Sequence, residues 1–386
     1  MRQNRACIIG SGLAGVVIAN RLANESYDVT ILERRSHVGG NVYDYVDEHG
    51  INVHKYGPHI FHTNNQDVYD FITKFGEFDD FDLVCGSVMD GKCVKTAFDF
   101  SSIDIFFPKE ADEIKEHIKK EFGDAKSASI LDLLNSRDAL IKKYADYLYE
   151  KDYAPYTAKQ WGIDINEIDK QVFKRVPILF SYGSKYFDDK YQMLPINGYT
   201  GIINKIIDNE NIKVKLNTDA LSICKLTDSV INIDGYEDFD VVVYTGAIDE
   251  LFKYQFGKLP YRSLRFEFKY ENIDSYQEMP VVAYPQVPDY TRITEYKKLP
   301  VQNVKGTTYA VEYPVKYDKE NGNEPYYPII TEDSKHRYEQ YLELSKQFKS
   351  LYLCGRLAEF KYYNMDQVIE RALTVSKEII RRGINV

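Results

Sequence analysis

The most constraining feature is Gly10-Ser11-Gly12-Leu13-Ala14-Gly15, which directly follows the apolar run Ala6–Ile9 and opens a helical stretch reaching about Asn24. Three glycines at this spacing have distinct jobs. Gly10 permits a tight turn, Gly12 lets a pyrophosphate approach the backbone, and Gly15 lets helix pack on strand. The helix N-terminus then offers unpaired N–H groups and a positive dipole end to phosphates. A second strand, Tyr27–Leu32, ends in Glu33, where a carboxylate can accept hydrogen bonds from ribose hydroxyls. Strand, turn, helix, strand and acid together predict a βαβ dinucleotide site on a parallel sheet buried on both faces.

With 386 residues, the chain carries more than this unit. Positions 79–159 read as a mostly helical insertion: Lys109–Phe122 is a charged helix, and Ser129–Tyr153 has Leu, Ile and Tyr at helical spacing. Tyr, Val, Phe and Pro dominate Arg175–Asn197 and Lys258–Tyr327, and Arg262–Tyr270 alternates as a half-exposed strand does. Gly198–Asn209 reads as a helix and Asp240–Tyr244 as a buried strand ending in Thr245-Gly246. Leu351–Cys354, Gly355-Arg356 and a helix from Asp366 to Arg382 repeat the logic of the start. The expected architecture is α/β: a discontinuous Rossmann-like domain (1–78, 196–250 and 345–386), a helical domain (79–172) and an antiparallel sheet domain (173–195 and 251–344).

Composition closes off other classes. A net charge of −10 does not suit a chain that coats nucleic acid or an acidic membrane. Five scattered cysteines without C-x-x-C spacing argue against a disulfide scaffold or metal site and for a reducing cytosol, so a cytoplasmic protein without a metal is expected. The apolar run Cys7–Ala19 is broken by glycines and too short to span a bilayer, so neither a targeting segment nor membrane insertion is expected. There are 33 tyrosines and one tryptophan, Trp161, an excess that reflects either background packing or a cleft lined with hydroxyl-tipped rings.

After Glu33, Arg34-Arg35-Ser36-His37-Val38-Gly39-Gly40-Asn41 resembles the Arg…Gly-Gly segment of glutathione-reductase-like flavoproteins, and DVVVYTG resembles their later strand–Thr-Gly motif, which favours FAD over NAD. Several further motifs are more specific. They are Lys55-Tyr-Gly-Pro-His59-Ile60-Phe-His62, Tyr156-Thr-Ala-Lys-Gln-Trp161-Gly, Lys174-Arg175-Val-Pro and Tyr186-Phe-Asp-Asp-Lys-Tyr-Gln. Tyr290-Thr-Arg292, Glu324-Pro-Tyr326-Tyr-Pro and Gly355-Arg-Leu-Ala-Glu-Phe-Lys-Tyr362-Tyr complete the set. In this order they resemble the bacterial UDP-galactopyranose mutase family over essentially the whole chain.

That resemblance implies a redox-neutral isomerase that interconverts the pyranose and furanose forms of a nucleotide sugar for cell-surface polysaccharide. It implies reduced FAD, whose N5 attacks the anomeric carbon, an iminium intermediate, and a homodimer. It places Arg175 and Arg292 on the diphosphate, where a planar fork suits a leaving dianion, and Tyr186, Tyr326 and Tyr362 beside them as phenolic donors. Tyr156 stacks on the uracil and Trp161 lies in a mobile loop closing over the sugar. His62 stands beside the flavin, His59 near the sugar, Arg356 on the flavin or its pyrophosphate, and Arg262 near the cleft. Leu13, Ile60, Asn364 and Met365 join the expected cofactor and substrate contacts. The catalytic set is thus Arg175, Arg292, His62 and Tyr362.

The chain also departs from the family pattern. Asn364 stands where the family has Asp, and Leu83 and Val282–Ala283 fall where asparagines approach the hexose. Gly91–Phe100 and Asp152–Pro155 differ as well. An apolar sugar pocket leaves UDP-N-acetylgalactopyranose or dTDP-fucopyranose open beside UDP-galactopyranose. From other classes, an FAD-dependent oxidoreductase and a catalytically silent nucleotide-sugar binder remain alternatives.

Overall fold

A computed structural model describes residues 3–162, 164, 170–183, 185–227 and 229–384, without the side chains of Lys170, Gln171, Arg175 and Ile384. Five strands form an all-parallel sheet in the order Ile212–Lys215, Asp28–Leu32, Arg5–Ile9, Val241–Tyr244, Leu351–Leu353. Taken in chain order this is 3-2-1-4-5, so the direction of winding reverses between Arg5–Ile9 and Val241–Tyr244. Ligands bind outside the carboxyl ends of the strands at such a reversal. The sheet is apolar on both faces because helices cover both: Ile8, Val29, Ile31 and Val243 pack into one core, Cys7, Leu32, Val242 and Tyr244 into the other. The helix Leu13–Ala23 is buried along almost its whole length, with the C-terminal helix Met365–Ile384 packed against it.

A second sheet has seven strands, running Tyr327–Pro328, Tyr261–Glu271, Thr307–Lys316, Arg292–Glu295, Val281–Ala283, Cys85–Met89, Lys92–Thr96. It is antiparallel except where Val281–Ala283 pairs in parallel with Cys85–Met89. Those last two strands lie where the sequence reads as the start of a helical segment. The β-branched and Cys residues of that stretch complete a sheet edge before the helices begin. The helices Ala111–Phe122, Ile130–Leu134 and Ala139–Leu148 then close their own core around Ile114, Ile118, Leu133, Ile141 and Tyr144. One π-helical turn, Tyr149–Tyr153, joins them to the helix Ala154–Trp161.

A small antiparallel sheet of Phe61–Thr63, Tyr191–Pro195 and Phe78–Asp80 lies between these parts. Met193 and Leu194 bury into the same core as the first helix, so the strand that the sequence assigns to the sheet domain packs here on the nucleotide-binding side. Among the described residues no helix is long and apolar enough to cross a membrane.

Candidate functional site

At the carboxyl ends of the parallel strands a cavity opens, lined by Gly10, Gly12, Leu13, Glu33, Arg34, Gly39, Gly40, Asn41, His59, Gly355, Arg356 and Met365. Part of its wall is bare backbone at glycines, for a steric reason. A Cβ on Gly40 would lie 2.9 Å from the Gly12 Cα, and Gly40 has φ +56°, so two glycines face each other across the turn. Gly15 does not line the cavity: a Cβ there would stand 2.0 Å from the Gly10 carbonyl oxygen, the close helix–strand packing that its place in the motif requires. Ile60 is also absent from the wall and is buried in the core.

Glu33 is 5% exposed, and its Oε2 accepts from the Ser11 N–H and Oγ–H at 2.9 and 2.7 Å. The acid therefore fixes the glycine turn while its other oxygen takes the Arg35 N–H at 2.9 Å. Arg34 and Arg35 both pair with Glu324, which lines the same cavity with Asp219, Thr245 and Glu250. A sequence search could have reached Thr245 from the strand–Thr-Gly motif. Glu324 opens the motif Glu324-Pro-Tyr326-Tyr-Pro, which does not point to this pairing, and Glu250 and Asp219 carry no local signal because they arrive from remote segments.

His59 is held neutral. Burial pushes its imidazole down to about 3, helped by nearby His54 and Arg356. Its Nδ1 lies 2.8 Å from the Gly57 carbonyl, which can only accept, so Nδ1 carries the proton and Nε2 is left as an acceptor. Its backbone N–H donates to His54 Nδ1 at 3.0 Å. His54 is itself pushed down to about 4 by burial.

Beside the cavity a cationic cluster forms around Tyr327. The Arg356 guanidinium lies 4.2 Å from the Tyr327 ring centre and Arg262 lies 4.8 Å from it. Tyr362 stacks on Tyr327 with ring centres 4.9 Å apart, and Arg262 also covers Trp161 at 4.7 Å. The positions follow from the sheet: Arg262 and Tyr327 are cross-strand partners. Burial pushes the Tyr327 phenol up, but Arg356, Arg292 and Arg262 together more than reverse this and hold it below its ordinary value.

Arg292 enters from two strands away, across Thr307–Lys316, whose Glu312 accepts from its Nε at 2.7 Å while also taking the Thr291 hydroxyl at 3.1 Å. Because Glu312 uses Nε, the two terminal nitrogens extend beyond the pair. Tyr156 stands within the electrostatic reach of Arg292, Glu312 and Asp152. The helix bearing Tyr156 is pinned to the hairpin before Arg292, since the Lys159 ammonium donates to the Tyr284, Pro285 and Val287 carbonyls. Burial pushes that amine down to about 8.

The remaining expected residues are placed elsewhere. His62 is not among the residues lining the cavity; its Nδ1 meets Asp189 Oδ2 at 2.8 Å and its ring stacks on Phe187 at 3.8 Å. Tyr186 packs edge-on against the same Phe187 at 5.0 Å, and its N–H donates to the Leu83 carbonyl. Asn364 precedes the C-terminal helix, where its carbonyl accepts from Val368 and its N–H donates to Gln367. Tyr326, expected on the diphosphate, lines the dinucleotide cavity with its ring 6.5 Å from that of Tyr56 and 6.3 Å from that of Phe266, while its neighbour Tyr327 sits in the arginine cluster. Adjacent strand residues face opposite ways, so the choice between neighbouring tyrosines depends on register. The Arg175 side chain lies outside the described residues, as do most positions following Trp161 that the mobile-loop expectation concerns.

A family model described as UDP-galactopyranose mutase matches residues 151–362, and one described as an NAD(P)-binding Rossmann-like domain matches residues 8–75. The chain is 34% identical over 389 residues to the probable UDP-galactopyranose mutase of Klebsiella pneumoniae, covering 100% of this chain and 97% of the relative. It is also 34% identical over 390 residues to the dTDP-fucopyranose mutase of Escherichia coli, covering 98% of this chain and 99% of that one. A solved structure of reduced UDP-galactopyranose mutase superimposes with a TM-score of 0.72 over 98% of this chain and 94% of that one, at 14% identity, a likeness of fold. The chain belongs to the UDP-galactopyranose mutase family, a family of isomerases.

Proposed function

We propose that this protein is a flavin-dependent nucleotide-sugar mutase converting a UDP- or dTDP-linked hexopyranose into its furanose. One observation carries the reading: Arg356 both lines the dinucleotide cavity and stacks on Tyr327, so a three-arginine anion site directly abuts the cofactor site. A sugar diphosphate bound there presents its anomeric carbon toward the cavity.

The cavity fits FAD, because the facing glycines admit a pyrophosphate and Glu33 lies at the end of its strand where a ribose is expected. Bound and reduced, FAD would supply a nucleophilic N5 for the anomeric carbon. The protein's own contribution is electrostatic and positional. Arg292 and Arg262 stabilise the charge that builds on the diphosphate as its bond to the sugar breaks. The Tyr327 and Tyr362 hydroxyls are candidate donors to the same oxygens. Tyr156 provides the stacking face for the base, and Trp161, over Arg262, covers the sugar side. Neutral His59 provides an acceptor at Nε2 for a sugar hydroxyl or the cofactor. Arg175 is proposed as a second diphosphate ligand on its place in the motif alone.

A second reading concerns the sugar. Leu83 and Val282 are 4% and 1% exposed and pack as apolar residues, which suits a 6-deoxy hexose such as the one named in the Escherichia coli relative. The test is to reduce the FAD-loaded protein with dithionite and supply UDP-galactopyranose, UDP-N-acetylgalactosamine and dTDP-fucopyranose separately. Chromatography should show a furanose from at least one of them, with no oxygen consumed. An intact reduced flavin that converts none sinks the mutase reading, and flavin reduction by the substrate itself would favour an oxidoreductase. Cyanoborohydride should trap a flavin–sugar adduct.

A further inference from the structure

Close to Tyr156, the residue proposed to stack on the base, stands an acid that the proposed chemistry does not use. Asp152 lies in the single π-helical turn Tyr149–Tyr153, immediately before the helix that carries Tyr156. Four residues apart, the two side chains leave the same face of the helix. A π turn inserted between two α-helices re-aims the residues on it and is frequent at functional sites. The carboxyl is held from the opposite side: Ser87, fully buried on the strand Cys85–Met89, donates to Asp152 Oδ2 at 2.5 Å. A carboxylate offers about four acceptor positions, and this contact takes one.

Asp152 is surrounded by protein yet keeps some accessible surface, as does Tyr156 beside it. Burial pushes its carboxyl up to about 6, with Ser87 and the Lys159 charge pulling the other way, so at pH 8 it is an anion. Among the described residues no cation forms a salt bridge with this carboxylate, and a charge kept in such a place is costly unless donors beyond Ser87 reach it. Tyr156 lies within the electrostatic reach of both Asp152 and Arg292.

We propose that Asp152, held by Ser87, is the specificity-determining residue for the nucleobase, accepting the imide N3–H of a uracil or thymine stacked on Tyr156. Both bases present that N–H between two carbonyls, so the residue admits UDP and dTDP carriers alike. Cytosine presents a ring nitrogen lone pair at the same position and is repelled. The inference rests on the nucleotide-sugar reading above and gives it a base preference.

The test uses the FAD-loaded full-length protein at pH 8, with UDP, CDP and N3-methyluridine diphosphate titrated by calorimetry. Wild type should bind UDP about 10- to 100-fold more tightly than the N3-methyl analogue, the range expected for one charge-assisted hydrogen bond. In Asp152→Asn the amide can turn its NH2 toward cytosine N3, so the UDP-to-CDP preference should shrink by about tenfold while FAD content stays unchanged. A merely structural Asp152–Ser87 tie would not change that ratio. Equal wild-type affinity for UDP and its N3-methyl analogue overturns the proposal and leaves the mutase reading standing. So does an unchanged UDP-to-CDP ratio in the folded variant. If UDP does not bind and no sugar nucleotide is converted, the mutase reading falls and takes this proposal with it. The N3-methyl comparison needs no variant, so the proposal stays testable if Asp152→Asn fails to fold.

Discussion

The dinucleotide cavity and the arginine cluster share Arg356 but are built on opposite principles. The cavity is shaped at its turns by backbone: glycines at positions 10, 12, 39, 40 and 355 remove side chains where a pyrophosphate is expected to approach. The cluster is made of side chains, with Arg262, Arg292, Tyr327, Arg356 and Tyr362 brought in by separate segments of the chain. A backbone site is specified by a short contiguous motif. A side-chain site depends on sheet register and on which way each strand residue points. Damage should therefore differ in kind, abolishing cofactor retention in the first and turnover in the second.

The strongest separation should come from Gly15→Ala. The new Cβ meets the Gly10 carbonyl oxygen at 2.0 Å and Ile8 Cγ2 at 3.1 Å, and neither is the loose end of a flexible side chain. The helix must lift from the strand, and purified protein should carry little flavin by its visible absorbance. Full occupancy with normal thermal stability would show that this packing is not what the motif requires.

Arg292 should show the opposite pattern. Arg292→Ala leaves Glu312 buried without its partner, which costs about 3–5 kcal/mol, so loss of folding would confound the result. Arg292→Lys keeps a positive charge near Glu312 but loses the fork, and turnover should fall by about 10²- to 10³-fold with flavin absorbance unchanged. A variant retaining wild-type kcat would remove Arg292 from the diphosphate site.

The adjacent tyrosines resolve the comparison at one strand. Tyr327→Phe removes a phenol held low by three arginines and should lower kcat/KM by about tenfold. Tyr326→Phe alters only the wall of the dinucleotide cavity and should change flavin retention more than turnover. The reverse result would return the diphosphate role to Tyr326.

The same contrast explains what could be read from the sequence. Strand, turn, helix and Glu33 were all legible because each feature is local, and the later strand Val241–Tyr244 was legible as an unbroken apolar run. Cys85–Met89 and Lys92–Thr96 were not, since short strands at the edge of a remote sheet lack a pattern that separates them from their helical neighbours. The motif Glu324-Pro-Tyr326-Tyr-Pro names a neighbourhood and not a facing, so it does not by itself separate Tyr326 from Tyr327. The roles of Glu312, Lys159 and Asp152 are not legible for a related reason, even though Asp152–Pro155 stands out as a departure: their partners lie 20, 125 and 65 residues away.

The smallest expected effect compares one buried acid from each region. Burial pushes both Asp152, near the cluster, and Asp249, beside the cavity residue Glu250, up to about 6. A carboxyl raised in the folded state binds its proton more tightly there than in the unfolded chain. Its contribution to stability is fully present below about 4 and is lost as pH rises through about 6. Asp152→Asn and Asp249→Asn should each gain on wild type between pH 5 and pH 8, by a few °C in melting temperature, about what 1–2 kcal/mol gives in a chain of this size. A gain that is flat with pH would mean that neither acid carries the linkage. The two variants should then part company, because the Asp249 carboxylate is taken up by backbone N–H groups, Leu259 among them, and has no place at the base. Asp249→Asn should leave the UDP-to-CDP preference untouched, so that equal pH-dependent gains with unequal nucleotide selection would separate a buried acid that merely destabilises from one kept to read a ligand.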